Sequence, residues 1–182
     1  MTTDRAEWSD DVRVLSRAID QAGDVLDHVH AGALGEPTPC SDWDVAALAD
    51  HLVAAPAQFT AVVRGDQVDW SAAPEHVVEE WGPAFRVVGD DLLHAWHQHP
   101  RDASSGAGMQ VAELGLHTWD LARAIDYPVE RLDPEVAEVG LAFLRSNLTP
   151  DRRAPVFGPE EPVADDAGPY ERLAAFAGRP VV

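Results

Sequence analysis

Apolar residues recur along this chain at the three-and-four spacing that keeps side chains on one face of a helix. From about Glu7 to His30, the positions Val12, Leu15, Ile19, Ala22, Leu26 and Val29 form one stripe, which Gly32 and Gly35 close. A second stripe follows Ser41, which reads as an N-cap with Asp42 and Asp44 in the first turn. It runs through Trp43, Ala47, Leu48, Leu52, Ala55, Phe59 and Val62 to Gly65, and Pro56 is expected to kink or split it. The third stretch, from about Pro74 to His99, turns Val77, Val78, Trp81, Phe85, Val88, Leu92 and Trp96 inward, with Pro83 as a second expected kink. The fourth, roughly Ala107 to Asp126, carries Leu114, Leu121, Ala124 and Ile125 near one face. Asp133 then caps a shorter helix that Pro134 opens and that ends near Ser146.

No stretch alternates with period two for more than a few residues. The Pro-rich remainder, about 148–182, reads as an extended tail wrapping the body. Within it, 155–163 offers a minimal strand pair, and Tyr170, Leu173 and Phe176 suggest a short helical segment that docks. The pattern therefore predicts an all-α fold in a single domain over 1–182. Its four-helix bundle, up-and-down or crossover, occupies about 7–147, with an additional short helix and the tail.

Charge narrows the partners. Thirteen Arg, no Lys and 32 acidic residues give a formal net charge of −19. Such a surface lacks the basic footprint that nucleic acid or anionic lipid requires. A small basic pocket around an anionic ligand remains compatible with it. With one cysteine, Cys40, no internal disulfide is available. The opening residues lack the apolar core of a signal peptide, and no run of about 18 apolar residues suits a membrane span. A cytoplasmic protein is expected, free of nucleic acid and membrane.

Three polar side chains sit where apolar ones belong. His51 shares the inward face of the second helix with Leu48 and Ala55. Glu113 and His117, four residues apart, stack on one face of the fourth helix, flanked by Leu114, Leu121 and Ala124. A buried carboxylate is costly unless paired or metal-bound. Each residue alone has a plain explanation, since i,i+4 Glu–His pairs are common and a lone inward His is usually a satisfied core residue. Together, two imidazoles and a carboxylate describe a catalytic metal site with an open position. Zinc leads, and Fe, Mn or Ni also suit the donors.

At this point three blocks become informative: TPCSDWDVAALADHLV at 38–53, AELGLHTWDLARAI at 112–125, and VFGPEEPV with YERLAAFAGR in the tail. In this order they resemble the DinB-like, mycothiol-dependent maleylpyruvate isomerase N-terminal superfamily, the tail matching a subgroup known only as metal-binding. The resemblance implies a DinB-like four-helix bundle holding a divalent metal, usually zinc, on His51, Glu113 and His117. Some relatives use that metal to bind the thiol of mycothiol. A metal-bound thiol deprotonates, and the thiolate is a nucleophile at neutral pH. Isomerase members carry a further C-terminal domain where this chain has a short tail, so a thiol S-transferase or another metal enzyme is the nearer expectation.

The functional expectation is a zinc-dependent enzyme that activates a low-molecular-weight thiol such as mycothiol. The thiol would be transferred to a small electrophile, or would serve to isomerise it. The alternatives are a thiol-independent metal hydrolase or Lewis-acid enzyme, and a non-enzymatic metal-binding protein. Asp120 is a candidate to hydrogen-bond a ligand histidine, against a plain surface pair with Arg123. Arg123 is a candidate to hold a substrate carboxylate. Cys40 reads more readily as a small buried residue at a turn than as a nucleophile. His94, His97 and His99 read as surface residues. A homodimer is compatible with the pattern.

Overall fold

The computed structural model describes residues 10–41, 43–70, 72–78, 80–99 and 106–181. Among them the fold is all-helical: α1 (Asp10–Leu26), α2 (Val45–Arg64), α3 (Trp81–Gln98), α4 (Ala107–Ala124), α5 (Pro134–Asn147) and α6 (Pro169–Phe176), joined by three short 3₁₀ turns. α1 and α2 each pack against α3 and α4, forming a bundle. α5 covers α4 and α1, and α6 packs on α5 and α4. α4 is therefore walled by four helices, and most of its residues are buried all round.

Residue contacts give the helix directions. Asp27 lies against Gly82 and Ile19 against Gly89, so α1 and α3 are antiparallel. Asp50 meets Trp81 near the start of both helices, and Val63 lines a cavity with Trp96 near their ends, so α2 and α3 are parallel. His51 meets Glu113 while Val63 shares that cavity with Gln110, so α4 opposes α2. The connectivity is of the crossover kind.

This geometry corrects the expected third helix, which begins at Trp81 and not near Pro74. A chain leaving the end of α2 must return along that 20-residue helix, about 30 Å, before a parallel α3 can start. Helical residues rise only about 1.5 Å each, too little for the stretch between Arg64 and Trp81 to span that distance, and residues 66–70 and 72–78 are not helical. Val77 and Val78 consequently fall outside α3, and Val78 is 95% exposed. Pro83 sits in the first turn, where its missing N–H breaks no helical hydrogen bond.

Four local expectations also change. Asp44, not Ser41, caps α2, accepting from the Ala47 amide at 2.9 Å. The Val45 and Ala46 amides donate to the Glu36 and Leu34 carbonyls, which brings residues 34–36 against the start of the helix. Asp42 lies outside the described residues. Of the kink or split expected at Pro56, the split does not occur, since α2 is continuous through it. Val62 is 41% exposed, and Val63 takes the inward place. Residues 155–163 form no strand pair. Only α2 among the described helices is long and apolar enough to cross a membrane, and half of its most apolar window is buried in the bundle.

Candidate metal centre

Helix α2 delivers His51 and α4 delivers Glu113 and His117. The imidazole Nε2 of His51 lies 2.9 Å from Glu113 Oε1, and that of His117 lies 3.4 Å from the same oxygen. The three donor atoms all fall within 4.8 Å of one another. Tetrahedral zinc with bonds of 2.0–2.2 Å to nitrogen and oxygen sets its ligand atoms roughly 3.3 Å apart. The two separations from Glu113 bracket that value and the third lies within the 4.8 Å limit, so the chemistry and spacing of this donor set suit such an ion.

Exposure is graded across the set. The His117 side chain is 8% exposed, His51 19% and Glu113 32%, so the cluster is closed below and open on the Glu113 side. Trp43, just ahead of α2, covers the imidazoles: its ring centroid lies 4.3 Å from that of His51 and 5.3 Å from that of His117. Sequence reading put Trp43 on the α2 stripe, whereas it precedes the helix and roofs the cluster.

Burial alone would push the Glu113 carboxyl up and the His117 imidazole down. The pair outweighs it in both directions. The His117 charge and the hydrogen bonds from both histidines hold Glu113 well below the usual carboxylate range. The Glu113 charge, with a hydrogen bond to Asp120, pushes His117 up to about 9.

His117 uses its other nitrogen as well. Nδ1 donates to Asp120 Oδ2 at 3.1 Å, and Arg179 Nη2 donates to the same oxygen at 3.3 Å. Asp120 is fully buried and Arg179 is 7% exposed. Asp120 thus faces His117 and Arg179 and is not part of a surface pair with Arg123. Arg123 is exposed, with its guanidinium 5.9 Å from the centroid of the Trp119 ring. The structure therefore gathers His51, Glu113, His117 and Asp120, and leaves Arg123 outside the cluster. Cys40, half-buried in the roofing segment, forms a second candidate donor group with His117 and Asp120, again within 4.8 Å. His94 and His97 are exposed.

Sequence reading missed Arg179 and a latch beside the cluster. The buried Asp50 carboxylate accepts from His76 Nδ1 at 2.8 Å, Trp81 Nε1 at 2.7 Å and the Val77 amide at 3.1 Å. It pins the crossover to α2 next to His51. An acidic residue inside an apolar stripe is the signal that was available for Asp50; nothing local marks Arg179.

Fold and cluster together define an all-helical bundle with a His–Glu–His donor set on two facing helices. The chain is 31% identical over 182 residues to the uncharacterized proteins Rv0738 and MT0763 of Mycobacterium tuberculosis strains H37Rv and CDC 1551, covering 94% of this chain and 99% of each relative. It belongs to their family. No family model matches the chain, and no solved structure does.

Proposed function

We propose that this chain is a DinB-like metal-dependent enzyme, with zinc held by His51 Nε2, Glu113 and His117 Nε2. We further propose that it activates a low-molecular-weight thiol such as mycothiol for transfer to, or isomerisation of, a small electrophile. The observation that carries the metal reading is the convergence of three donors from two helices at ligand-edge spacing. The thiol rests on the resemblance of the blocks at 38–53 and 112–125 to a superfamily in which some members use mycothiol. When bound, the metal supplies a lowered pKa to a coordinated thiol and an electrophilic centre.

The chain's own residues have separable tasks. Asp120 holds the Nδ1 side of His117, leaving Nε2 for the cluster. Trp43 shields the imidazoles from water on one side. The exposed edge of Glu113 marks the side from which substrate approaches. A cytoplasmic location belongs to this reading, because a thiol co-substrate needs a reducing compartment.

Elemental mass spectrometry on tag-free protein tests the metal. About one zinc per chain is expected in wild type and none in His51→Ala, with helical content unchanged. Turnover of small electrophiles that requires added thiol in wild type and disappears in His51→Ala supports the thiol step. Turnover indifferent to thiol replaces it with a hydrolytic or Lewis-acid reaction. Absence of metal after equilibration with zinc overturns the whole reading.

A further inference from the structure

We infer that Arg179, carried by the C-terminal segment, is a positioning residue for the cluster, fixing Asp120 so that Asp120 can hold His117. The inference rests on the metal reading for its affinity test, but not for its structural one.

Local structure accounts for how Arg179 arrives there. After α6 the Gly178 amide donates to Ala175 O at 3.0 Å and the Arg179 amide to Ala174 O at 2.9 Å. These are the paired bonds of a Schellman motif, with Gly178 at the left-handed position, φ 82°, and Arg179 just after it. A Cβ on Gly178 would stand 2.8 Å from the Gly158 backbone, so only glycine fits this turn. The motif reverses the chain toward α4 and drives the Arg179 side chain inward. There Nη2 meets Asp120 Oδ2 and Nη1 meets Ala177 O at 3.1 Å.

Stability does not explain such a pair. Two buried charges lose their hydration, and apolar residues of similar size usually serve a core as well or better. Among the described residues, moreover, Asp120 Oδ1 and Arg179 Nε find no hydrogen-bond partner. What it does achieve is directional. One carboxylate oxygen is held between a fixed guanidinium and the Nδ1 of His117, which sets the ring plane whose other nitrogen faces Glu113. Outer partners of ligand histidines typically contribute about 10–100-fold in metal affinity.

Zinc affinity by chelator competition on Arg179→Gln, Arg179→Lys, Asp120→Asn and the Asp120→Asn/Arg179→Gln double variant provides the test, with circular dichroism monitoring the fold. Arg179→Gln should weaken binding about 10-fold, with Arg179→Lys between it and wild type. The double variant should bind no more weakly than Asp120→Asn alone, because Arg179 acts through Asp120. In zinc-free protein, proton NMR should show a slowly exchanging His117 Nδ1–H that is lost in Asp120→Asn and broadened in Arg179→Gln. Unchanged affinity with a retained proton signal overturns the inference, as do additive losses in the double variant. If wild type takes up no zinc yet Arg179→Gln still broadens the proton signal, the metal reading falls and the positioning role stands.

Discussion

His117 has both ring nitrogens engaged, one toward Glu113 and one toward Asp120, and this makes its protonation a property of the fold. Its value in the metal-free protein lies above the ordinary 6.5, at about 9. A histidine raised in this way stabilises the fold fully below about pH 6.5, and that contribution is lost as pH rises through about 9. Glu113 behaves oppositely, contributing above its ordinary 4.5 and losing that contribution on acidification. Thermal melts of metal-free protein should therefore fall between pH 6.5 and about 9. Zinc affinity should rise over the same interval, because a ligand imidazole must first release its proton. A melting temperature flat across this interval would show that Glu113 and His117 are not coupled. The His51–Glu113–His117 set was legible because helical spacing alone puts two of its members on one face and the third on an inward stripe. Arg179 was not, since its role depends on a turn after α6 and on the docking of α6 against α4.

At the scale of elements, the crossover between α2 and α3 is the part the hydrophobic pattern misread. Val77, Val78 and Trp81 continue a plausible helical spacing, yet the first two belong to a non-helical return path dictated by parallel neighbours. Asp50 makes that path definite by accepting three hydrogen bonds from it. Replacing Asp50 by Ala leaves the Trp81 indole and the Val77 amide without this partner. Leaving these two groups without a partner costs about 1–3 kcal/mol each, so a loss of roughly 2–6 kcal/mol is expected. Denaturant titration measures it, and limited proteolysis should place new cuts within 72–78. Unaltered stability would mean that water replaces the carboxylate at no cost. Gly115 gives a smaller lesson about elements. It lies on α4 between Glu113 and His117. The structure gives packing, since a Cβ there would meet Val136 of α5 at 2.9 Å.

The whole molecule has a formal net charge of −19 around one mainly apolar core. Self-repulsion of that kind destabilises a compact state and is screened by salt. The Debye length shortens from about 30 Å at 0.01 M to about 8 Å at physiological ionic strength. The melting temperature should accordingly rise by a few degrees over that range with a monovalent salt. A fall would show that the surface ion pairs, such as Arg86 with Asp24 and Asp27, outweigh the general repulsion. α5 and α6 matter at this scale too. They convert α4 from a surface helix of the bundle into its enclosed centre, which is why Asp120 and Arg179 meet without solvent.

Periodicity by itself determined that the chain is helical, where most helices lie, and which three side chains are out of character on their inward faces. Those properties are local, because they follow from side-chain spacing of three and four along one element. Only the tertiary structure decided that α2 and α3 run parallel, that Trp43 roofs the imidazoles, and that a tail arginine reaches the carboxylate behind His117. Each of these joins residues far apart in sequence through the way helices pack, and the spacing of apolar residues within a single helix carries no information about it.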